Sequence, residues 1–150
     1  MEIVSGGQTG ADRAALDAAI DCNIPHGGWC PAGRLAEDGV IDKKYQLQKT
    51  DSSNYAVRTK ANVLDSDVTI IFSHGELMGG SLLTKELAKK LSKPCLHIDL
   101  NNDKNPIKTI KDFLPNDREN LVVNIAGPRS SNDLKIYDAV YKVLGKLFSK

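Results

Sequence analysis

The sequence predicts a single α/β domain over residues 1–150, built on a mostly parallel sheet of about five strands. Three observations predict it. Short apolar runs bounded by turn residues recur along the chain, helical apolar periods fill the intervals between them, and polar turns rich in glycine follow several of the runs. Alternation of strand and helix favours parallel pairing through right-handed crossovers.

The strands are predicted at Ile3–Val4, around Gly28–Cys30, at Val68–Phe72, at Cys95–Leu100 and at Leu121–Ala126. Of these, "VTIIF" is apolar almost throughout, as expected of a strand covered on both faces. Helical spacing follows the first run, where Ala14, Ala15, Ala18 and Ala19 give a small-residue surface suited to close packing. Leu83, Leu87, Ala88 and Leu91 recur at three- and four-residue intervals. Ile107, Ile110 and Leu114 make a shorter stripe, and Tyr137, Val140, Tyr141, Leu144, Leu147 and Phe148 a longer one at the end. The exception is "PAGRLAEDGVIDKKYQLQKTDSSN", Pro31 to Asn54, which holds few apolar residues and no sustained period. It reads as a long loop, either a lid or binding segment or a solvated excursion.

Composition narrows the function. Lys plus Arg number 20 against 19 Asp plus Glu, a formal net charge of +1. That balance offers no global attraction to nucleic acid or an anionic membrane, so any anion site must be local. The lysines of "KELAKKLSK" read as a solvated helix face. No apolar run is long enough to span a bilayer, and no signal-peptide pattern opens the sequence, so a soluble, cytoplasmic protein is expected. Cys22, Cys30 and Cys95 are too few and uneven for a disulfide framework. Cys22, His26 and Cys30 are spaced by four, but Pro25, Gly27 and Gly28 oppose the helix that would align them, so no metal site is expected.

Ligands of open parallel sheets bind beyond the carboxyl ends of the strands. Four polar turns fall at such ends: "SGGQTGADR", "GGWCPAGR", "SHGELMGGSLLT" and "AGPRSS". In the first, Gly6, Gly7 and Gly10 permit close approach to the main chain, Gln8 and Thr9 offer donors, and Arg13 offers charge. A tight turn capped by Thr9 or Asp12 is the other reading. Gly79 and Gly80 open a second helix, with Ser81 or Thr84 placed to donate to an anion. Arg129 supplies a planar fork for phosphate or carboxylate, unless it pairs with Asp133. Trp29 either stacks a flat heterocycle or packs in the core, and His74 is either a base or a solvated loop histidine. Neither the dinucleotide fingerprint nor the P-loop is present.

These segments, with "YAVRTKANVLDSDVTIIF", "KPCLHIDL" and "NIAGPRSSNDLKIYDAV", resemble the molybdenum carrier (molybdenum cofactor carrier-like) family over most of the chain. The resemblance implies a three-layer Rossmann-like sandwich, related to the lysine-decarboxylase-like and cytokinin-activating proteins, a group associated with nucleotides and similar ligands. It implies a binding or carrier role with molybdenum cofactor (molybdopterin), a pterin bearing a phosphate, as the bound ligand, and a homo-oligomer, as relatives commonly assemble through helices. Arg13, Arg34 and Arg129 would then neutralise the phosphate, while Trp29 and the long loop cover the ring. The alternative is a nucleotide or nucleoside-monophosphate hydrolase, with Asp38 or Glu86 assisting departure of a base, or a nucleotide-sensing domain. Cytokinin-activating enzymes carry Pro-Gly-Gly-x-Gly-Thr-x-x-Glu; here Met78 precedes the glycine pair, and with Thr84 matched to the threonine, Leu83 and Leu87 replace the later glycine and the glutamate.

Overall fold

The structure, a computed structural model, describes residues 1–149. Its central sheet has the order β2-β1-β9-β7-β8, with every pairing parallel. The strands are β1 (Glu2–Val4), β2 (His26–Gly27), β7 (Val68–Ser73), β8 (Cys95–Asp99) and β9 (Val122–Ala126). All six residues of β7 are buried, and Phe72 is wholly enclosed. Burying such a side chain contributes roughly 1.5–3 kcal/mol.

Five helices complete a three-layer Rossmann-like sandwich: α1 (Ala11–Asp21), α2 (Tyr55–Asp65), α3 (Gly79–Lys90), α4 (Pro106–Phe113) and α5 (Ile136–Phe148). Helix α1 packs with α5, and α5 with α4, in one layer; α2 and α3 pack together in the other. The α1 alanines Ala14, Ala15, Ala18 and Ala19 are buried, as their spacing predicts, and let the helix approach Ile3, Val123 and the α5 residues Ile136, Val140 and Leu144. Tyr137, Tyr141, Leu147 and Phe148 also pack on this core. The most exposed large apolar side chains lie elsewhere, at Val40, Met78 and Leu134.

Three expectations need correction. The run around Gly28–Cys30 is not one strand of the main sheet: His26–Gly27 pairs with β1, whereas β3 (Trp29–Cys30) turns away to pair with β6 (Gln48–Lys49). The chain turns at Gly28, whose missing side chain allows contact with the Ser5 main chain. The segment 31–54 is not structureless. It holds a 3-10 turn (Ala32–Arg34), a hairpin of β4 (Leu35–Ala36) and β5 (Gly39–Val40), and β6. Ile41 and Tyr45 anchor it in a second small core with Leu16, Cys30 and Ala36. Lastly, α2 has no counterpart in the apolar pattern, because its buried positions include Arg58 and Asn62 beside Val63.

No helix among the described residues is long and apolar enough to cross a membrane.

Candidate functional site: a crevice between β1 and β7

From β1 the chain moves outward to β2; from β7 it moves outward the opposite way to β8, and β9 returns between β1 and β7. Such a reversal opens a crevice beyond the carboxyl ends of the strands. A cavity of about 410 Å³ occupies it, lined from the β1, β7 and β9 turns and from α2. Its polar lining converges from distant parts of the chain, and each turn contributes differently.

The turn before α3 is open. Met78 precedes the helix without a side-chain cap, and apart from their chain neighbours and the backbone of the helix itself, neither Gly79 nor Gly80 has an atom within 4 Å of where a Cβ would stand. Among the described residues their amide groups donate to no partner, so the positive end of a twelve-residue helix faces the cavity. Ser81 is buried beside them, and its hydroxyl is uncommitted among the described residues. The Thr84 hydroxyl donates to the Gly80 carbonyl at 2.9 Å.

The turn before α1 is filled by the protein itself. Arg58 Nη1 donates to the Gly6 carbonyl at 2.7 Å. Gly7 abuts Leu47 and Ile41, and Gly10, at φ 81°, lies where any Cβ would overlap the Pro128 carbonyl. That carbonyl accepts from Ala11 N–H at 3.2 Å, and Asp12 Oδ2 accepts from Gln8 N–H at 3.3 Å. The expected seat for an anion at this helix end is therefore taken by internal partners. Gly6 and Gln8 still line the cavity; Gly7, Thr9 and Gly10 do not. The Thr9 hydroxyl instead donates to the Glu37 carboxylate and accepts from Ser130 N–H at 3.1 Å.

The expected cations also separate. Arg129 lines the cavity, its guanidinium carbon 5.6 Å from the Tyr55 ring centroid, and has no ion pair among the described residues. Asp133, its alternative partner, instead meets His74 Nδ1 at 2.6 Å. Arg13 pairs with Asp38 at 2.9 Å and donates to the Gly7 carbonyl, away from the cavity. Arg34 donates to the carbonyls of Ile41, Asp42, Tyr45 and Leu47, which makes it a clamp on the long segment. Trp29 lines a separate cavity of about 170 Å³ with Glu2 and Val122, the first residues of β1 and β9, and its Nε1 donates to Asp65 at 2.6 Å. Neither Asp38 nor Glu86 lines the crevice.

Several lining residues are not among the ligand contacts that the sequence suggests. Asp12 is buried, and desolvation pushes its carboxyl up to about 6 against the opposing charge of Arg58, whose Nη1 lies 3.8 Å from Oδ2. Arg58 itself lies with its guanidinium carbon 5.1 Å from the Tyr55 ring centroid. Helix α2, capped by the Asn54 side chain, brings Tyr55, Arg58 and Asn62 to the cavity. The "YAVRTKAN" spacing does place Tyr55, Arg58 and Asn62 on one helical face; a search for polar as well as apolar periods would have found it. Gln8 presents the remaining anomaly: its Nε2 is buried without a hydrogen-bond partner, a state that costs about 1–3 kcal/mol when nothing relieves it.

Among the described residues no group of three or more His, Cys, Asp or Glu is arranged to hold a metal ion. Comparison with curated proteins gives no match. The crystal structure of a "putative molybdenum carrier protein" from Syntrophus aciditrophicus SB superposes with a TM-score of 0.93 at 50% identity, covering 99% of this chain and 94% of that one. The model of the circularly permutated YpsA SLOG family matches residues 3–148. A parallel sheet with its crevice between β1 and β7, together with a match running almost end to end, places this chain in the circularly permutated YpsA SLOG family.

Proposed function

We propose that this protein binds a small phosphorylated heterocycle in the crevice, as a carrier of molybdenum cofactor. The observation that carries the reading is the uncapped start of α3, with open amides at Gly79 and Gly80, in the same cavity as Arg129, which has no ion pair among the described residues. A helix amino terminus and a free guanidinium are what a phosphate monoester requires. Tyr55 supplies the aromatic surface beside them, a role that the resemblance would give to Trp29. About 410 Å³ is within the usual range for a small-molecule site. The name borne by the Syntrophus aciditrophicus relative supports the choice of cargo.

The test is incubation of purified protein with molybdenum cofactor, followed by native mass spectrometry and a cofactor-oxidation assay. Retention of the cofactor mass and slower oxidation are expected. Loss of cofactor on buffer exchange, with oxidation as fast as in free solution, overturns the carrier role.

A second reading, hydrolysis of a nucleoside monophosphate, draws on Asp12, a cavity carboxyl titrating at about 6 and so fitted to exchange a proton near neutral pH. Free base released from nucleoside monophosphates by the wild type, and not by Asp12→Asn, would favour it.

A further inference from the structure

We propose that Gln8 reads a hydrogen-bond acceptor on the ring of the bound ligand, remote from its phosphate; this rests on the crevice being a site for a phosphorylated heterocycle. Gln8 is 5% exposed and lines the cavity. Its Oε1 accepts from Thr9 N–H at 3.1 Å and from Glu37 N–H at 2.8 Å. Turning the amide over would set its NH2 against both of those donors, so the neighbours dictate its orientation. Nε2 is left as the one buried side-chain nitrogen or oxygen without a partner among the described residues. A buried donor held in a fixed direction calls for an acceptor from outside the chain.

The segment 31–54 sets this orientation. The Glu37 carboxylate accepts from Ser131 Oγ at 2.6 Å, from Ser131 N–H at 3.1 Å and from the Thr9 hydroxyl, which fixes the main chain whose N–H holds Gln8. The long segment thus governs recognition through one backbone donor, without covering the ligand.

Position separates Gln8 from the phosphate seat. Gln8 follows β1 and Gly79 follows β7, with β9 between them. Two strand spacings amount to about 10 Å. A phosphate on the α3 amides is too small to bridge that interval. The atom that meets Nε2 belongs to the rest of the ligand, and only an acceptor such as a ring carbonyl or an unprotonated ring nitrogen satisfies it.

The experiment titrates ¹⁵N-labelled full chain with two probes, inorganic phosphate and 6-hydroxymethylpterin phosphate, following the Gln8 side-chain NH2 pair and the Gly79 and Gly80 amides. Phosphate is expected to shift the glycine amides alone, and the pterin phosphate to shift both sets. Gln8→Glu keeps the Oε1 acceptor but replaces the donor with a carboxylate; it is expected to weaken the pterin phosphate at least about tenfold more than it weakens inorganic phosphate. The wild-type shifts decide the matter even if that variant does not fold. A Gln8 pair that moves with phosphate alone, or that stays still when the pterin phosphate binds, overturns the inference and leaves the functional reading standing. Binding of neither probe overturns both.

Discussion

Two glycine turns lie at the same edge of one sheet and look alike in sequence, yet they end in opposite states. Around Gly6, Gly7 and Gly10 the space that side chains would fill holds Arg58, Leu47, Ile41 and the Pro128–Ser130 main chain. Around Gly79 and Gly80 it holds nothing within 4 Å. In the first turn, missing side chains let the protein approach itself, and the Ala11 and Arg13 amides of α1 find internal partners. In the second they leave an open surface with unspent donors. Glycine alone does not announce a ligand; its surroundings decide between packing and binding.

The sharpest way to break this contrast is Gly10→Ala. At φ 81° an added Cβ meets the Pro128 carbonyl, which is backbone and cannot swing aside. A loss of roughly 3 kcal/mol or more is expected from backbone strain and overlap, read as a fall of about 10 °C in Tm. A change under about 1 kcal/mol would show that the first turn is looser than its contacts imply.

Asp12 gives the next effect, one that depends on pH. Burial raises its carboxyl from an ordinary 3.8 to about 6, so between these values the folded chain keeps a proton that the unfolded chain has released. The stability from this group is full below about pH 4 and lost as pH rises through 6. Urea denaturation should find that wild type loses up to about 3 kcal/mol relative to Asp12→Asn between pH 4 and pH 7. A pH-independent difference would place the carboxyl in a wetter setting.

Arg129→Met should lower affinity for inorganic phosphate about tenfold, by isothermal titration, with stability changed by less than about 0.5 kcal/mol. Equal phosphate binding by the variant would remove Arg129 from the site. The last contrast is Gly80→Ala, the mirror of the first substitution. With open space at its Cβ and no positive φ, it should leave stability unchanged or raise it by up to about 0.5 kcal/mol through helix propensity, while weakening phosphate. Unchanged phosphate affinity would argue that the α3 turn is as idle as it is empty.

The fold was legible because apolar runs mark β7, β8 and β9 and apolar periods mark α1, α3, α4 and α5. Helix α2 escaped because the face it turns inward is partly polar, and Arg58 and Asn62 do not register in an apolar period. The candidate site was legible as turns, not as contacts. Gly79, Gly80, Ser81 and Arg129 stand in the cavity with Gly6, Gln8 and Thr84, whereas Arg13 and Arg34 are spent on Asp38 and on main-chain carbonyls. No local pattern announces that Arg34 closes a loop on itself, since its four acceptors are backbone oxygens that any residue carries. Trp29 was misplaced for a related reason: a turn at Gly28 sends it away from the strand that would have led it to the crevice.

The most direct measurement is a crystal structure of the protein with 6-hydroxymethylpterin phosphate. The phosphate is predicted to accept hydrogen bonds from the Gly79 and Gly80 amides beside Arg129, with the ring reaching toward Gln8. A phosphate seated on the Gly6–Gly10 turn, or anywhere outside the crevice between β1 and β7, would contradict the assignment of the open turn as the binding one.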